Sequence, residues 1–353
     1  MCRRLLLSAF LRVLPLALSS SLCPQSAAAQ FVRALPPIAD PADKRFEDVK
    51  EDWTSPSLDL SNLRPVQPRR AYVNNYTGYT VELLQAQWRW GDPIDLYVLK
   101  PTGVERPPVI LYLYGYPTDT DVFKDEGWQR AATQDGFAAV GFVSALTGHR
   151  YHDRPMKEWF LSELQETLAT SAHDVQMVLN YLENRSDLDM ARVGMFGQGS
   201  GASIAILASA VDARIKILDV MDPWGDWPAW MATSPFVPED ERPSYLKPEF
   251  LKKAAVLDPV DWLPKVRAKK LQLEQNLFDP ITPSGAKEKL GAVVPDPANL
   301  VVYKTAKELD AASESSTNAG WIKREIPVVR EAAAAASSAG TPNNRRLPIN
   351  RER

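Results

Sequence analysis

Val193-Gly194-Met195-Phe196-Gly197-Gln198-Gly199-Ser200-Gly201-Ala202 is the stretch on which the fold turns. Its first residues are apolar or glycine, as a strand buried on both faces requires, and its last open a run of small residues (Ala202-Ser203-Ile204-Ala205) suited to a closely packed helix. Strand, sharp turn and helix follow one another within ten residues, so the two axes must cross closely. The positions two residues either side of the apex, Gly199, must then be small, and Gly197 and Gly201 meet that need. A strand feeding straight into a helix is one unit of a parallel sheet.

Similar units lie on both sides. Thr80–Leu84 and Ile94–Leu99 form a strand pair around a Gly91-Asp92 turn. Pro108–Tyr114 and Phe137–Val143 are continuous apolar runs, read as fully buried strands, with a helix around Trp128 to Gln134 between them. Glu158 to Leu182 is a long amphipathic region of one or two helices. A helix from about Ser200 to Ala210 follows the central strand. Further strands are expected at Ile215–Val220, around Leu271–Leu273 and at Leu300–Tyr303, then a short helix near Trp321. The alternation predicts an α/β fold, one doubly wound and mostly parallel sheet, over residues 71 to 330. Between 222 and 264 the alternation breaks, and Trp224, Trp227, Trp230 and Trp262 sit among prolines, which reads as a cap insertion. Tryptophans this dense serve either as cap core or as an aromatic ligand platform, and packing is the expected role.

The chain of 353 residues is long enough to bury a large core, and 45% hydrophobic with 24% charged residues is the balance of an ordinary globular protein. A formal net charge of −3 gives no electrostatic case for nucleic acid or an anionic membrane surface as partner. Residues 1 to 29 read as an export signal: Arg3-Arg4, an apolar stretch from Leu5 to Leu18 broken by Arg12 and Pro15, and Ala27-Ala28-Ala29 before Gln30. The expected product is periplasmic or secreted, with no integral membrane segment after cleavage, and either the general or the twin-arginine route fits. Cys2 and Cys23 both lie inside that signal, so the mature chain would carry no disulfide and no cysteine nucleophile. Residues 30 to 70 are proline-rich and read as an arm or linker, and 331 to 353 read as a disordered tail.

Taken in order, these pieces resemble the α/β-hydrolase superfamily, in particular its prolyl-oligopeptidase and dienelactone-hydrolase-like branch. The quoted stretch resembles the G-x-S-x-G nucleophile elbow, with Gly199 where the serine would stand. Tyr114-Gly115-Tyr116 ends a strand where the resemblance places the oxyanion loop, whose backbone N–H groups bind developing negative charge. Leu277-Phe278-Asp279-Pro280 resembles the loop of the triad acid, with Asp279 in its place. The resemblance implies the chain order nucleophile, acid, histidine, yet the three histidines of the sequence, His149, His152 and His173, all precede the elbow.

Several readings follow. A non-catalytic pseudoenzyme would bind a small molecule or protein in a retained pocket that includes Tyr114, Gly115, Tyr116, Gln198 and Ser200. A working ester or peptide hydrolase would use Ser200, in a register shifted by one, or a base from elsewhere. Its difficulty is Gln198 in a position that needs a small residue. A metal-assisted enzyme would use His149 and His152 with Asp153, although no further ligand stands at metal-site spacing; loop histidines with backbone partners are the plainer account. His173, beside Asp174 on a helix, reads as structural. Asp219 and Asp222 end a strand and could bridge to the cap or serve as an alternative acid. No cofactor is expected.

Overall fold

The computed structural model describes residues 51–58, 66–89, 92–116, 121–146, 161–313 and 319–328. Strands β1 Val66–Tyr76, β2 Tyr79–Gln87 and β3 Ile94–Pro101 form an antiparallel meander. The β1–β2 turn is two residues long, with Gly78 at φ 91° supplying the left-handed conformation that such turns need. The hairpin of β2 and β3 agrees with the sequence reading; Gly91 of its turn lies outside the described residues. β1 does not: a strand begins at Val66, inside the stretch read as arm, because alternating Tyr72, Asn74 and Tyr76 give it no continuous apolar run.

The parallel part comprises β4 Pro108–Leu113, β5 Ala138–Phe142, β6 Asp189–Gln198, β7 Ile217–Met221, β8 Lys270–Asn276 and β9 Leu300–Tyr303. The nine strands lie in the order β1-β2-β3-β5-β4-β6-β7-β8-β9. β5 joins the meander antiparallel to β3, and every neighbouring pair from β5 to β9 is parallel. Every residue of β4, β5 and β7 is buried, which explains their unbroken apolar runs.

Helices cover both faces. Helix α1 Glu126–Thr133, with Phe123 before it, packs on the face that carries Tyr97, Tyr112 and Phe196. Helices α2 Leu164–Glu183 and α3 Ser200–Val211 cover the other, where Leu111, Leu113, Met195 and Leu218 meet them. The connection from β7 to β8 holds four short helices: α4 Trp227–Thr233, α5 Arg242–Tyr245, α6 Pro248–Ala255 and α7 Pro259–Trp262. Each has a proline in its first two positions, where the missing N–H costs nothing, and this accounts for Pro228, Pro243, Pro248 and Pro259. One carboxylate, Asp258, accepts from the backbone N–H groups of Asp226 (2.9 Å), Trp227 (2.9 Å) and Val260 (3.0 Å) and so caps α4 and α7 together. Trp224, Trp227 and Trp230 are buried in the core that α2 and α3 share, which is the packing role expected for them. Trp262 is half-buried, with Lys265 over its ring at 4.3 Å.

After β8 come α8 Ser284–Ala292, β9, α9 Ala306–Ser313 and α10 Gly320–Glu325, the last returning to the α1 face. Residues 51–58 lie along α2: Gln176 donates to Pro56 O at 2.7 Å and accepts from Leu58 N at 3.2 Å.

Candidate functional site

The carboxyl ends of β4, β6, β7 and β8 bring Gly115, Gly199, Asp222 and Leu277 to one edge of the sheet, the edge at which doubly wound folds bind ligands. Gly199 leaves β6 at φ 56°, ψ −123° and opens α3. Its N–H donates to Met221 O at 2.9 Å, which fixes the turn against β7. The crossing is as close as the sequence implied. A Cβ on Gly197 would stand 2.7 Å from Ala202 Cα, and one on Gly201 would stand 2.3 Å from Leu113 O. At Gly199 itself a Cβ would meet nothing nearer than Trp224 Nε1 at 3.5 Å and Gly115 Cα at 3.6 Å. The apex therefore has room for a side chain and carries none.

Ser200 is fully buried, and its Oγ accepts from the Tyr116 N–H at 2.9 Å. That N–H belongs to the loop after β4, where the resemblance places an oxyanion donor, and here it is occupied by the chain's own hydroxyl. Gly115 lies directly over the elbow; a Cβ there would be 3.0 Å from Gln198 O. Gln198 is half-buried at the end of β6. Tyr114 is buried with its hydroxyl accepting from Trp128 Nε1 at 2.6 Å, and burial pushes its phenol well above the usual range. Aromatic rings border the apex: Tyr116 meets Phe236 edge-on at 5.8 Å, Phe236 meets Trp224 at 5.6 Å, and Trp224 meets Trp230 at 5.0 Å.

Asp279 is turned into its own loop. Its oxygens accept from Ile281 N (3.2 Å) and Thr282 N (3.1 Å), and Lys287 Nζ lies 3.9 Å away. The buried Lys287 ammonium donates to the carbonyls of Asn276 and Asp279, both at 2.7 Å, and pins the loop. The same loop borders a cavity of about 560 Å³ with Gln275, Thr282, Lys287 and Leu300 in its wall. A second cavity of about 430 Å³ lies between Trp53, the start of α2 and Phe250 of α6.

Asp222 is the titratable group that the sequence reading underused. It holds a left-handed backbone, φ 48°, rare outside glycine, and its Oδ1 accepts from Asn276 N at 2.7 Å. Burial, reinforced by the negative Asp279 and Glu274, pushes its carboxyl up to about 7 against the opposing pull of the Asn276 N–H and Lys287. Strand-end position was the available signal; its burial depends on the β7–β8 connection and is not written locally.

His149, His152 and Asp153 lie outside the described residues. His173 is fully buried on α2, with Nδ1 2.6 Å from Glu51 Oε1 and Nε2 2.9 Å from Ser55 O, in keeping with a structural part. Burial opposes ionisation of Glu51, but hydrogen bonds from His173 and Arg89 and the Arg89 charge outweigh it and hold the carboxyl at about 2. Among the described residues no group of three or more His, Cys, Asp or Glu side chains could hold a metal ion, and no helix is long and apolar enough to cross a membrane.

This sheet order, with the elbow at the end of β6 and an acidic loop after β8, is the α/β-hydrolase fold. Acetyl xylan esterase 1 from Thermoanaerobacterium sp. JW/SL YS485 superposes with a TM-score of 0.56 at 14% identity, covering 74% of this chain and 89% of that one. The acetyl xylan esterase from Paenibacillus sp. R4 gives a TM-score of 0.53 at 16% identity, covering 80% of this chain and 98% of the other. In sequence, the chain is 24% identical over 176 residues to the Bacillus subtilis (strain 168) protein named "Putative hydrolase YtaP", a match that spans 45% of this chain and 58% of the relative. No protein-family model matches the chain.

Proposed function

We propose that this is an exported α/β-hydrolase-fold protein that lacks serine-hydrolase chemistry and acts by binding a small molecule or a protein partner at the carboxyl edge of the sheet. The observation that carries the reading is the elbow: its backbone is kept around a glycine, and the neighbouring hydroxyl is buried on the Tyr116 N–H. The missing base supports it, since no histidine follows His173 in the sequence. Asp279 accepts one backbone N–H of its own loop on each oxygen, with Lys287 Nζ 3.9 Å away, and no histidine in the sequence follows it to be oriented. The β7–β8 connection, with Trp224 and Phe236 near the apex, would act as the cap of the pocket. Export rests on Arg3-Arg4, the apolar stretch and Ala27-Ala28-Ala29; mass spectrometry of the exported chain should find Gln30 as its first residue.

A serine-directed fluorophosphonate probe tests the chemistry. The purified protein should remain unlabelled, and Gly199→Ser should not hydrolyse p-nitrophenyl acetate above the wild-type background. Labelling mapped to Ser200, or turnover by that single variant, would refute the reading.

A second reading, a working ester hydrolase, draws on the names of the relatives and on Asp222, whose near-neutral carboxyl could take up a proton. It predicts wild-type turnover that Asp222→Asn abolishes. A metal-assisted variant of it through His149 and His152 predicts a stoichiometric ion lost on changing both to alanine.

A further inference from the structure

A second carboxyl site lies on the opposite face of the sheet from α3, beneath the edge that carries the elbow. Asp219, in the middle of β7, is fully buried, and neither of its carboxyl oxygens has a partner at good hydrogen-bond geometry among the described residues, the Gln272 amide being the nearest donor and acting weakly on it. Its neighbour is another acid. Cross-strand register sets Asp219 opposite Gln272 and Met221 opposite Glu274, so Glu274 is the diagonal neighbour on the same face and reaches the Asp219 carboxyl.

The donors around the two carboxyls are unequally shared. Glu274 Oε2 accepts from the Tyr303 hydroxyl at 2.8 Å and Oε1 from Gln272 Nε2 at 2.6 Å, which is the surrounding of a carboxylate. Asp219 shares only the outer reach of the Gln272 amide, which is committed to Glu274, and that is the surrounding of a carboxylic acid able to donate. Two bare carboxylates in this dry place would repel at close range, and a single proton removes that repulsion. The charged and titratable groups that act on the pair are Arg324 from α10, Tyr303 from β9 and Asp222 at the end of β7, whose carboxyl the Glu274 charge pushes up and whose N–H donates to Glu274 O at 2.9 Å; Lys270 of β8 is engaged with Glu325.

We propose that Asp219 and Glu274 share one proton, carried on Asp219 and donated to Glu274, and that this proton is the condition for α10 to stay seated on the sheet. Burial first, then the Glu274 charge, holds the Asp219 carboxyl well above its ordinary range. α10 closes the site: Ile322 packs so tightly on β6 that a Cβ on Gly194 would stand 2.4 Å from its Cγ2. When hydroxide removes the proton as water, the pair goes from one negative charge to two, and Arg324 is the cation among the described residues that acts on it. The pair is thus an alkali-sensitive clasp between the central strands and the last described helix.

The sign follows from linkage. An unfolded Asp releases its proton near pH 4, about its ordinary value. The folded chain keeps it, so between that pH and the raised folded value folding is disfavoured about tenfold per pH unit. Asp219→Asn keeps a donor for Glu274 and cannot titrate. Relative to that variant, the folded-to-unfolded ratio of the wild-type chain in urea should fall, by up to about tenfold per unit, as pH rises from the ordinary aspartate value near 4 toward the raised folded value. Hydrogen exchange, corrected for intrinsic rate, should show Gly320–Glu325 opening with rising pH in the wild type and not in the variant. The wild type should show an infrared band of a buried protonated carboxyl that Asp219→Asn lacks, and that band should persist in Asp222→Asn, whose own carboxyl is the other raised one at the strand end. Should that variant fail to fold, Glu274→Gln serves, because its amide donates to Asp219 and likewise removes the slope. Parallel pH profiles for wild type and variants would overturn the proposal. So would the absence of the infrared band, or a stoichiometric cation seen by native mass spectrometry and lost in Asp219→Asn.

Discussion

The elbow makes a sharp demand on three glycines, and the demands differ in kind. At Gly201 an added methyl would sit 2.3 Å from Leu113 O, 2.6 Å from Leu113 C and 2.9 Å from Tyr114 O, all backbone of the sheet. An ordinary carbon–oxygen contact is about 3.3 Å or more, so β4 and α3 must part by roughly 1 Å. Overpacking of this kind costs about 1–3 kcal/mol where side chains can yield, and backbone yields less, so at least about 3 kcal/mol is expected. Alanine's better helix propensity returns about 1 kcal/mol, leaving a net loss of about 2 kcal/mol or more for Gly201→Ala. At Gly199 the nearest contact would be an ordinary 3.5 Å, and the cost is the backbone at φ 56°, ψ −123° alone, about 1–3 kcal/mol, less about 0.4–1 kcal/mol gained by restricting the unfolded chain. Gly199→Ala should therefore lose about 1 kcal/mol, with Gly197→Ala between the two. Urea unfolding midpoints, followed by tryptophan fluorescence on the full chain, give the ranking. If Gly201→Ala were as stable as wild type, or if Gly199→Ala were the worst of the three, the close crossing would not be what the glycines are for.

Other expectations can be checked the same way. Asp258→Ala removes the acceptor for three backbone N–H groups at the starts of α4 and α7, and at about 1–2 kcal/mol per cap should cost about 2–4 kcal/mol, part of it recovered by Asp258→Asn. Asp222, raised to about 7, makes the folded state hold a proton that the unfolded chain has lost, so its contribution to stability falls as pH rises from about 4 to 7. Asp222→Asn should flatten that part of the urea-midpoint profile, and an unchanged slope would place the carboxyl elsewhere. Glu51, lowered from 4.5 to about 2, behaves oppositely: its stabilisation is present above pH 4.5 and is lost as pH falls toward 2. Glu51→Gln should therefore lose stability at pH 6 and resemble wild type near pH 2, with residues 51–58 the first segment cut in limited proteolysis.

Much of the fold could be read because its signals are local. The unbroken runs of β4, β5 and β7 are apolar since both faces are covered, and Gly197 and Gly201 mark the crossing because no other residue fits there. β1 was missed since it is an edge strand with arginines and asparagines, although Tyr76-Thr77-Gly78-Tyr79 held a two-residue turn signal. The site was legible in part. Gly199 and Asp279 could be placed from chain order, but the Ser200–Tyr116 bond joins residues 84 apart, and the Asp219–Glu274 pair depends on cross-strand register. Neither relation has a sequence period. A lone Asp on a strand says nothing of its neighbour until pairing is known.

The vacated elbow is also better understood as a set of linked structural bonds than as one lost serine. Gly199 donates its N–H to Met221 O, the Ser200 hydroxyl oxygen accepts from the Tyr116 N–H of the loop after β4, and the Asp279 oxygens accept from two N–H groups of their own turn. Each position that would carry chemistry in a serine hydrolase thus holds a neighbour in place instead. Restoring a serine at 199 would supply an oxygen beside Trp224 Nε1, yet leave Tyr116 N–H occupied and Asp279 turned away. At least three changes would have to occur together: a nucleophile at 199, a base after the last strand, and release of Tyr116 by a residue at 200 without an acceptor. Of these changes only the one at 200 removes a bond that supports the turn, the Tyr116 N–H to Ser200 Oγ bond, and on the reading proposed above none of them alone would bring turnover. What such a frame retains is a rigid, aromatic-bordered edge, and rigidity is what binding requires of it.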